Sequence, residues 1–460
     1  MGSTSTIHVD ASPAEGRGQP LHANFWWVFA GNATYSFCQW MLVVALAKLG
    51  SPLMLGQFAL GLAIASPVLT FTNLHLRAVQ ATDSRRQYRF SEYLGLRIMT
   101  TAAGWLVIVL IALAGNFDFR TAAIVMAVGL AKAMESFSDL FYGLFQQREE
   151  MRRTAISMIL RGLLAVLILT TVLAVTKDVF WSAMALTATW GLVWATYDAR
   201  WGRRMLETQP PSSGQPLTGE DDPLKPRFAA ARQWSLLRLA LPLGVVMLLL
   251  ALYANIPRYF IQHYMGEESL GAYSAMAYAM VAVTGVAEAL GHSATPRLSR
   301  YFAGGQIARF RSLLMKLLGF GIALGAAAIA TVSLGGSRIL TLLYRPQYAE
   351  HTDVFVWLTV AAALTCVAWM LNFGLTAARH FKIQVPMFAA ILLTTTAGCY
   401  LLVPMMGMRG AAVSLALGAL AHVVLASAVL AWVLVRSAAR EHEVLVPAGS
   451  QASRVVGVEL

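Results

Sequence analysis

The sequence predicts an all-α polytopic membrane protein, with about 12 transmembrane helices in two pseudo-symmetric six-helix bundles around a central cavity. Three observations carry that expectation. First, 57% of the 460 residues are hydrophobic and only 13% are charged, with a mean hydropathy of +0.60; soluble domains run about 25% charged. Second, the apolar residues gather into twelve segments of about 20 residues or more, the length that crosses a hydrocarbon core of about 30 Å as a helix. Third, Lys and Arg alternate from one side of these segments to the other.

The segments are 24–47, 54–76, 92–114, 121–145, 155–176, 179–199, 236–262, 270–294, 312–334, 352–378, 383–404 and 410–436. With the N-terminus in the cytoplasm, the even-numbered connections, both termini and the adjoining helix ends hold 25 of the 35 Lys and Arg. Arg85, Arg86, Arg152, Arg153, Arg200, Arg203 and Arg204 are among them. The opposite side holds six, Lys48, Arg120, Lys177, Arg338, Arg345 and Arg409; four lie within spans, Arg97, Lys132, Arg161 and Arg258. A split of this size is the positive-inside signature, with both termini cytoplasmic. The net charge of +12 is therefore topology. No basic soluble domain is long enough to bind nucleic acid.

The opening "MGSTSTIHVDASPAEGRGQP" is polar and lacks the apolar core of a signal peptide. Residues 1–23 are expected to form a disordered cytoplasmic N-terminus, and residues 437–460 a cytoplasmic tail. Gly2 with Ser5 and Thr6 looks like an acylation site, but twelve spans make such an anchor redundant. Cys38, Cys366 and Cys399 lie in apolar segments and read as small hydrophobes. The stretch 200–234, "RWGRRMLETQPPSSGQPLTGEDDPLKPRFAAARQW", is rich in Pro, Gly, Ser and charge and reads as a cytoplasmic linker. It separates bundles at 24–199 and 235–436. The halves carry a degenerate repeat. "GSPLMLGQFALG" from Gly50 recurs as "GEESLGAYSAM" from Gly266, and "FYGLFQQREEMRR" from Phe141 recurs as "NFGLTAARHFKI" from Asn372. Six spans per half bring both halves in from the same side, so the relating axis runs along the membrane normal.

No phosphate-binding Gly-rich loop, HExxH, paired CxxC or GxSxG occurs. Neither a metal nor a cofactor is implied, and active transport would draw on a gradient. What remains is polar groups inside spans, each charge costing about 2.5–3.5 kcal/mol to insert. On the fourth span Lys132, Glu135, Asp139, Tyr142 and Gln146 fall within roughly 80° of arc at 100° per residue. Lys132 and Glu135 can pair at i, i+3, and Glu135 and Asp139 are expected to hold Lys132 in place. The first span carries Asn32, Tyr35 and Gln39, and the fifth Thr154, Ser157 and Arg161. The seventh carries Asn255, Arg258 and Gln262, where Pro257 is expected to loosen the helix. The eighth carries Thr284, Glu288 and His292 at i, i+4, i+8.

Each group has a plainer reading. Lys132 with Glu135 could be a structural pair, and Arg161 could snorkel to the interface. The first-span stripe could be interhelical glue, and Gly321–Gly325 reads as packing. Arg97 reads as a topology residue and Asp198 as an interface residue. The functional reading assigns substrate binding to Lys132, Arg161, Arg258, Asn32, Tyr35, Gln39, Asn255 and Gln262. It assigns ion coupling to Glu135, Asp139, Glu288 and His292. The cationic share suits an anionic cargo such as a phosphate or pyrophosphate; a drug-cation exporter would more often show acids without compensating Arg.

Several stretches resemble a known superfamily. "LLYRPQYAEHTDVFVWL" resembles the "LLYG–Y" loop of polysaccharide exporters, with Arg345 where that family commonly has Gly. "LVPMMGMRGAAVSLALG" resembles their Pro-x-x-Gly-x-x-Gly-Ala-Ala approach to the last helix. "GAYSAMAYAM" and "ATPRLSRYFAGGQIARFRSLL" resemble their eighth span and the loop after it. "AKLGSPLMLGQFALGLAIASPVLTFTNLHLRAVQATD" resembles the opening of lipopolysaccharide and O-antigen flippases. The resemblance covers residues 24 to 436 and points to the multidrug/oligosaccharidyl-lipid/polysaccharide exporter superfamily. It implies a monomeric transporter of the bacterial inner membrane that flips a polyprenyl-pyrophosphate-linked oligosaccharide. It further implies contact with membrane lipids and other polysaccharide-assembly membrane proteins. The family offers no shared motif that would carry site residues over. The competing readings are a multidrug antiporter of the same fold and a membrane polysaccharide polymerase or ligase. Short outer connections argue against the last.

Overall fold

The computed structural model describes residues 21–83, 87–208, 222–378 and 383–445. Most of the expected N-terminal segment, the middle of the 200–234 linker and the end of the tail lie outside the described residues.

The described chain is helical throughout, without a strand. The first half comprises α1 (Leu21–Leu49), α2 (Pro52–Thr72), the short α3 (Leu76–Thr82), α4 (Phe90–Ala114), α5 (Phe119–Gln147), α6 (Met151–Thr176), α7 (Val179–Val193) and α8 (Ala199–Glu207). A π-helical turn, Trp194–Asp198, joins the last two. The second half comprises α9 (Ala230–Ala279), α10 (Val281–Ala303), α11 (Ile307–Leu343), α12 (Thr352–Ala377), α13 (Gln384–Met406) and α14 (Met408–Leu445).

Local chemistry sets the boundaries. The Ser51 hydroxyl accepts from Met54 N and Pro52 occupies the first turn of α2, where its missing N–H costs nothing. Asp118 caps α5 by accepting from the backbone N–H of Arg120 and Thr121. At the start of α14, Gly407 turns the chain at φ 58. A Cβ on Gly410 would lie 2.2 Å from the Leu402 carbonyl oxygen, so only glycine lets the two helices meet there.

Nine helical runs among the described residues are long and apolar enough to cross a membrane. One of them, Ala230–Ala303, has 74 residues and breaks at Gly266, φ 80 and ψ −177, so it holds two crossings. Helices α1 and α5, 29 residues each, have the length, but their polar side chains dilute their hydropathy. The architecture is thus consistent with twelve spans. Helix α9 runs through Pro257, and the turn between the seventh and eighth spans is made at Gly266.

The apolar residues pack into three clusters whose placement describes the molecule's shape. The largest draws on both halves, with Leu46, Leu60, Val128, Leu169 and Leu186 from the first and Ile261, Tyr273, Leu340, Phe355 and Cys399 from the second. All lie toward the end that carries the turns at Gly50, Gly266 and Gly407. Toward the other end the cores separate. One holds Leu76, Leu94, Phe141 and Phe145 with the first turns of α9 at Leu236 and Ala240. The other holds Leu298, Phe310, Met370, Phe388 and Leu430. The halves thus share one core at one end, the fused end; at the other, parted end, α9 alone packs on the first half, and a cleft lies between that core and the one formed by the remaining second-half helices.

Backbone contacts close the fused end. A Cβ on Gly56 of α2 would fall 1.7 Å from the Glu267 carbonyl oxygen, and one on Gly271 of α9 would fall 2.0 Å from that of Pro52. Arg345 Nη2 donates to Lys48 O at 2.6 Å, Trp40 Nε1 to the Tyr344 hydroxyl at 3.4 Å, and that hydroxyl to Ala275 O at 2.7 Å. The three cysteines are buried and free, as small hydrophobes would be.

Candidate functional site

Within the first half, α1, α6, α7, α5 and α2 pack as successive neighbours, while α1 and α2 barely touch one another. The ring is thus open between α1 and α2, on the side of the second half. The polar stripe of α5 lies inside this ring.

Glu135 is its centre. Its carboxylate accepts from the Tyr35 hydroxyl at 2.5 Å and from Arg161 Nη2 at 3.1 Å, and pairs with Lys132. Gln39 Nε2 donates to the Tyr35 hydroxyl at 2.6 Å, completing a relay from α1. Aromatic rings hold the cations. The Arg161 guanidinium lies 4.9 Å from the Tyr35 ring and 5.6 Å from both Tyr142 and Trp190; Lys132 Nζ lies 5.8 Å from Trp190. The Arg161 side chain is 3% exposed, against 27% for Lys132 and 17% for Glu135. Arg161 therefore does not snorkel; it is buried against its partners, and water reaches the group mainly at Lys132.

One turn along, the stripe divides. Asp139 does not join Lys132. It pairs with Arg77 of α3 and Arg97 of α4, each at 3.6 Å. Arg97, read from sequence as a topology residue, is fully buried and also donates to Asn73. Arg77 donates to Gln146 at 3.3 Å, and Tyr142 bonds to Ser157 at 2.9 Å.

Asp198 is the acid that stripe reasoning passed over. The π-helical turn carries it inward, and it is fully buried. Wider turns of this kind recur at functional positions. Neither carboxylate oxygen closes a hydrogen bond, and Ser138 Oγ and Arg161 Nε and Nη1 are likewise unpartnered. Its signal was in the sequence as an acid within a span, discounted because it stands at the span's end.

The remaining residues of the sequence-derived set stand apart. Asn32 is exposed and donates only to Val28 O of its own helix. Arg258 donates to Asn255 Oδ1 and Ala254 O, both at 2.9 Å, and lies 5.7 Å from the Tyr278 ring. It shares no ion pair with the first-half group. Gln262 lines an apolar crevice of about 350 Å³ between α2, α4 and α9. Glu288 and His292 approach to 3.7 Å but are largely exposed, and the His292 ring meets Phe373. The charges thus concentrate in the first half. Among the described residues no group of three metal-ligating side chains occurs.

The family described as "Polysaccharide biosynthesis protein" matches residues 21–302. The capsular polysaccharide biosynthesis protein CapF of Staphylococcus aureus is 22% identical over 396 residues, 85% of this chain and 94% of its own. Among solved structures, an inward-facing multidrug resistance MATE transporter of the MOP superfamily superposes with a TM-score of 0.60 at 13% identity, covering 91% of this chain and 94% of that one. A MOP superfamily transporter from Pyrococcus furiosus gives 0.58 at 13% identity, over 90% and 94%. At these identities the likeness establishes the fold.

Proposed function

The chain belongs to the polysaccharide biosynthesis protein family, and we propose that it is a flippase that exports a polyprenyl-pyrophosphate-linked oligosaccharide or polysaccharide precursor by alternating access. The observation that carries this reading is the Lys132–Glu135–Arg161 group, set in a cleft closed at one end. Family and fold both speak for transport rather than for an enzyme.

The proposed placement is the bacterial inner membrane with both termini cytoplasmic. The cleft then opens toward the cytoplasm, where lipid-linked precursors are made. A pyrophosphate entering a low-dielectric core needs cationic partners. Lys132, on the wet edge of the group, would meet it first; Arg161 would follow by exchanging Glu135 for the cargo, and Arg258 would offer a contact from the second half. The polyprenyl tail would stay in lipid. Lys132 and Arg161 are balanced by Glu135 and Asp198. Uptake of a proton or cation by either acid changes the local charge by one unit and biases which end is open. Such a site would couple transport to an ion gradient. The bundles 24–199 and 235–436 would move about the 200–234 linker.

The test is the double substitution Lys132→Met with Glu135→Gln, which removes one charge of each sign. Glycan export should collapse while the amount of protein in the membrane stays normal. Normal export in this variant would make the pair a structural one.

A further inference from the structure

Cation–π contacts in this molecule fall into two populations. One lines the interior described above. The other lies at the parted end, where helix termini meet the headgroup layer. There the Arg152 guanidinium sits 5.6 Å from the Trp27 ring, Arg238 4.7 Å from Trp234 and Arg436 4.2 Å from Trp432. Trp201 carries two, Arg153 of α6 at 3.7 Å and Arg204 of α8 at 4.8 Å. Among the described residues, the cation–π contact nearest the fused end is the interior one of Arg258 with Tyr278. At that end Arg120 is neutralised by Asp178 at 3.1 Å, and Arg345 is spent on Lys48 O.

We propose that the Trp201 corner, formed by α6 and α8 with Arg153 and Arg204, is a binding site for the phosphate of an anionic phospholipid headgroup. Three observations carry it. Two guanidinium groups on one indole bring like charges together, an arrangement that a shared anion relieves. Glu150 reaches Arg153 at 3.4 Å, but among the described residues no carboxylate lies within ion-pair distance of Arg204, nor of Arg152, the neighbour of Arg153 in the chain. And the corner stands at the end of membrane-crossing helices, where indoles settle at headgroup depth and hold the cations there. The short α8 is built for this position. It turns Trp201, Met205 and Leu206 toward the core and Arg200, Arg203 and Arg204 outward, while Gly202 lets it press against Phe141, 2.4 Å from where a Cβ would stand. The occupant follows from charge complementarity and depth: the anions in a headgroup layer are lipid phosphates. The inference needs only that this end faces a membrane surface, and stands whether or not the cargo reading does.

The test reconstitutes the full chain in nanodiscs of phosphatidylcholine alone, of phosphatidylcholine with phosphatidylglycerol, and of phosphatidylcholine with inorganic phosphate in the buffer. Retained lipid is counted by native mass spectrometry and thermal unfolding is followed in parallel. The native protein should retain phosphatidylglycerol and unfold later with it, and inorganic phosphate should not substitute. Each guanidinium near the surface is worth about 1 kcal/mol, roughly fivefold, so R153Q/R204Q should retain phosphatidylglycerol roughly 25-fold more weakly. W201L, which keeps both charges and removes the ring, should also lose most of the retention. K132M/E135Q, in the cleft, should keep it all, which separates this site from the cargo site. Full retention in R153Q/R204Q or in W201L, or equal stabilisation by inorganic phosphate, would overturn the proposal.

Discussion

Replacing Glu135 by Gln probes the centre of the charged group. The substitution keeps shape and removes one negative charge that serves two cations and a hydroxyl. Arg161, 3% exposed, cannot turn to water; Lys132, 27% exposed, can do so in part. Removing one partner from a buried pair costs about 3–5 kcal/mol. The Gln carbonyl can still accept one hydrogen bond and Lys132 can relax, so the lower end, about 3 kcal/mol, is expected. Removing both charges of the Lys132 pair is a different perturbation. K132M/E135Q removes the Lys132 charge along with Glu135 but still leaves buried Arg161 without its carboxylate, so it should recover only about 1 kcal/mol of that loss. K132M alone leaves Glu135 paired with Arg161 and should cost about 1 kcal/mol, so the double-mutant cycle should show a coupling of about 2 kcal/mol. The assay is denaturant or thermal unfolding of purified protein in one detergent, with K132M, E135Q and the double variant beside the native chain. If E135Q is as stable as the native protein, or if the double variant is less stable than E135Q, Glu135 does not hold these cations in the manner described.

Other expectations test separate parts of the structure. Gly56→Ala places a Cβ 1.7 Å from the Glu267 carbonyl oxygen. Because that atom is backbone, α2 and α9 must part, at a cost of about 1–3 kcal/mol. Spin labels at the exposed Leu53 of α2 and Glu268 of α9 should report a longer distance; an unchanged distance and stability would contradict the packing. Asp118 has its carboxyl held below the usual range chiefly by its hydrogen bond with the Thr121 side chain. A depressed value stabilises above the unfolded carboxylate pKa of about 3.9 and is lost as pH falls through the folded value. The gap in thermal midpoint between native protein and D118A should thus be present at neutral pH and shrink as pH falls below the unfolded carboxylate value; a constant gap would exclude the charged cap. Reporter fusions at Gly214 and after Leu460 should read cytoplasmic and one at Asp118 periplasmic, and a periplasmic reading at Gly214 would invert the topology.

The sequence by itself determined the spans, their approximate ends and the polar stripe of α5. Each depends on properties internal to one helix: length against bilayer thickness, the 3.6-residue period, and the reach of a side chain to i+3. That is why the Lys132–Glu135 pair was legible. What each stripe faces was decided only by the tertiary structure. Glu135 and Asp139 lie within 40° of one another on α5 at 100° per residue, yet one turns to Arg161 and Tyr35 and the other to Arg77 and Arg97. A helix's period fixes side chains relative to its own axis and leaves its rotation against neighbours open. Hydropathy gives no help inside a membrane, because core-facing and lipid-facing positions are equally apolar. On α4, buried Ile108 and Ala112 alternate with exposed Leu106, Leu110 and Leu113. The same degeneracy hid the burial of Arg97 and Asp198, and it hid which end of the molecule is fused, since that depends on glycine backbones of α2 and α9 meeting across more than two hundred residues of chain.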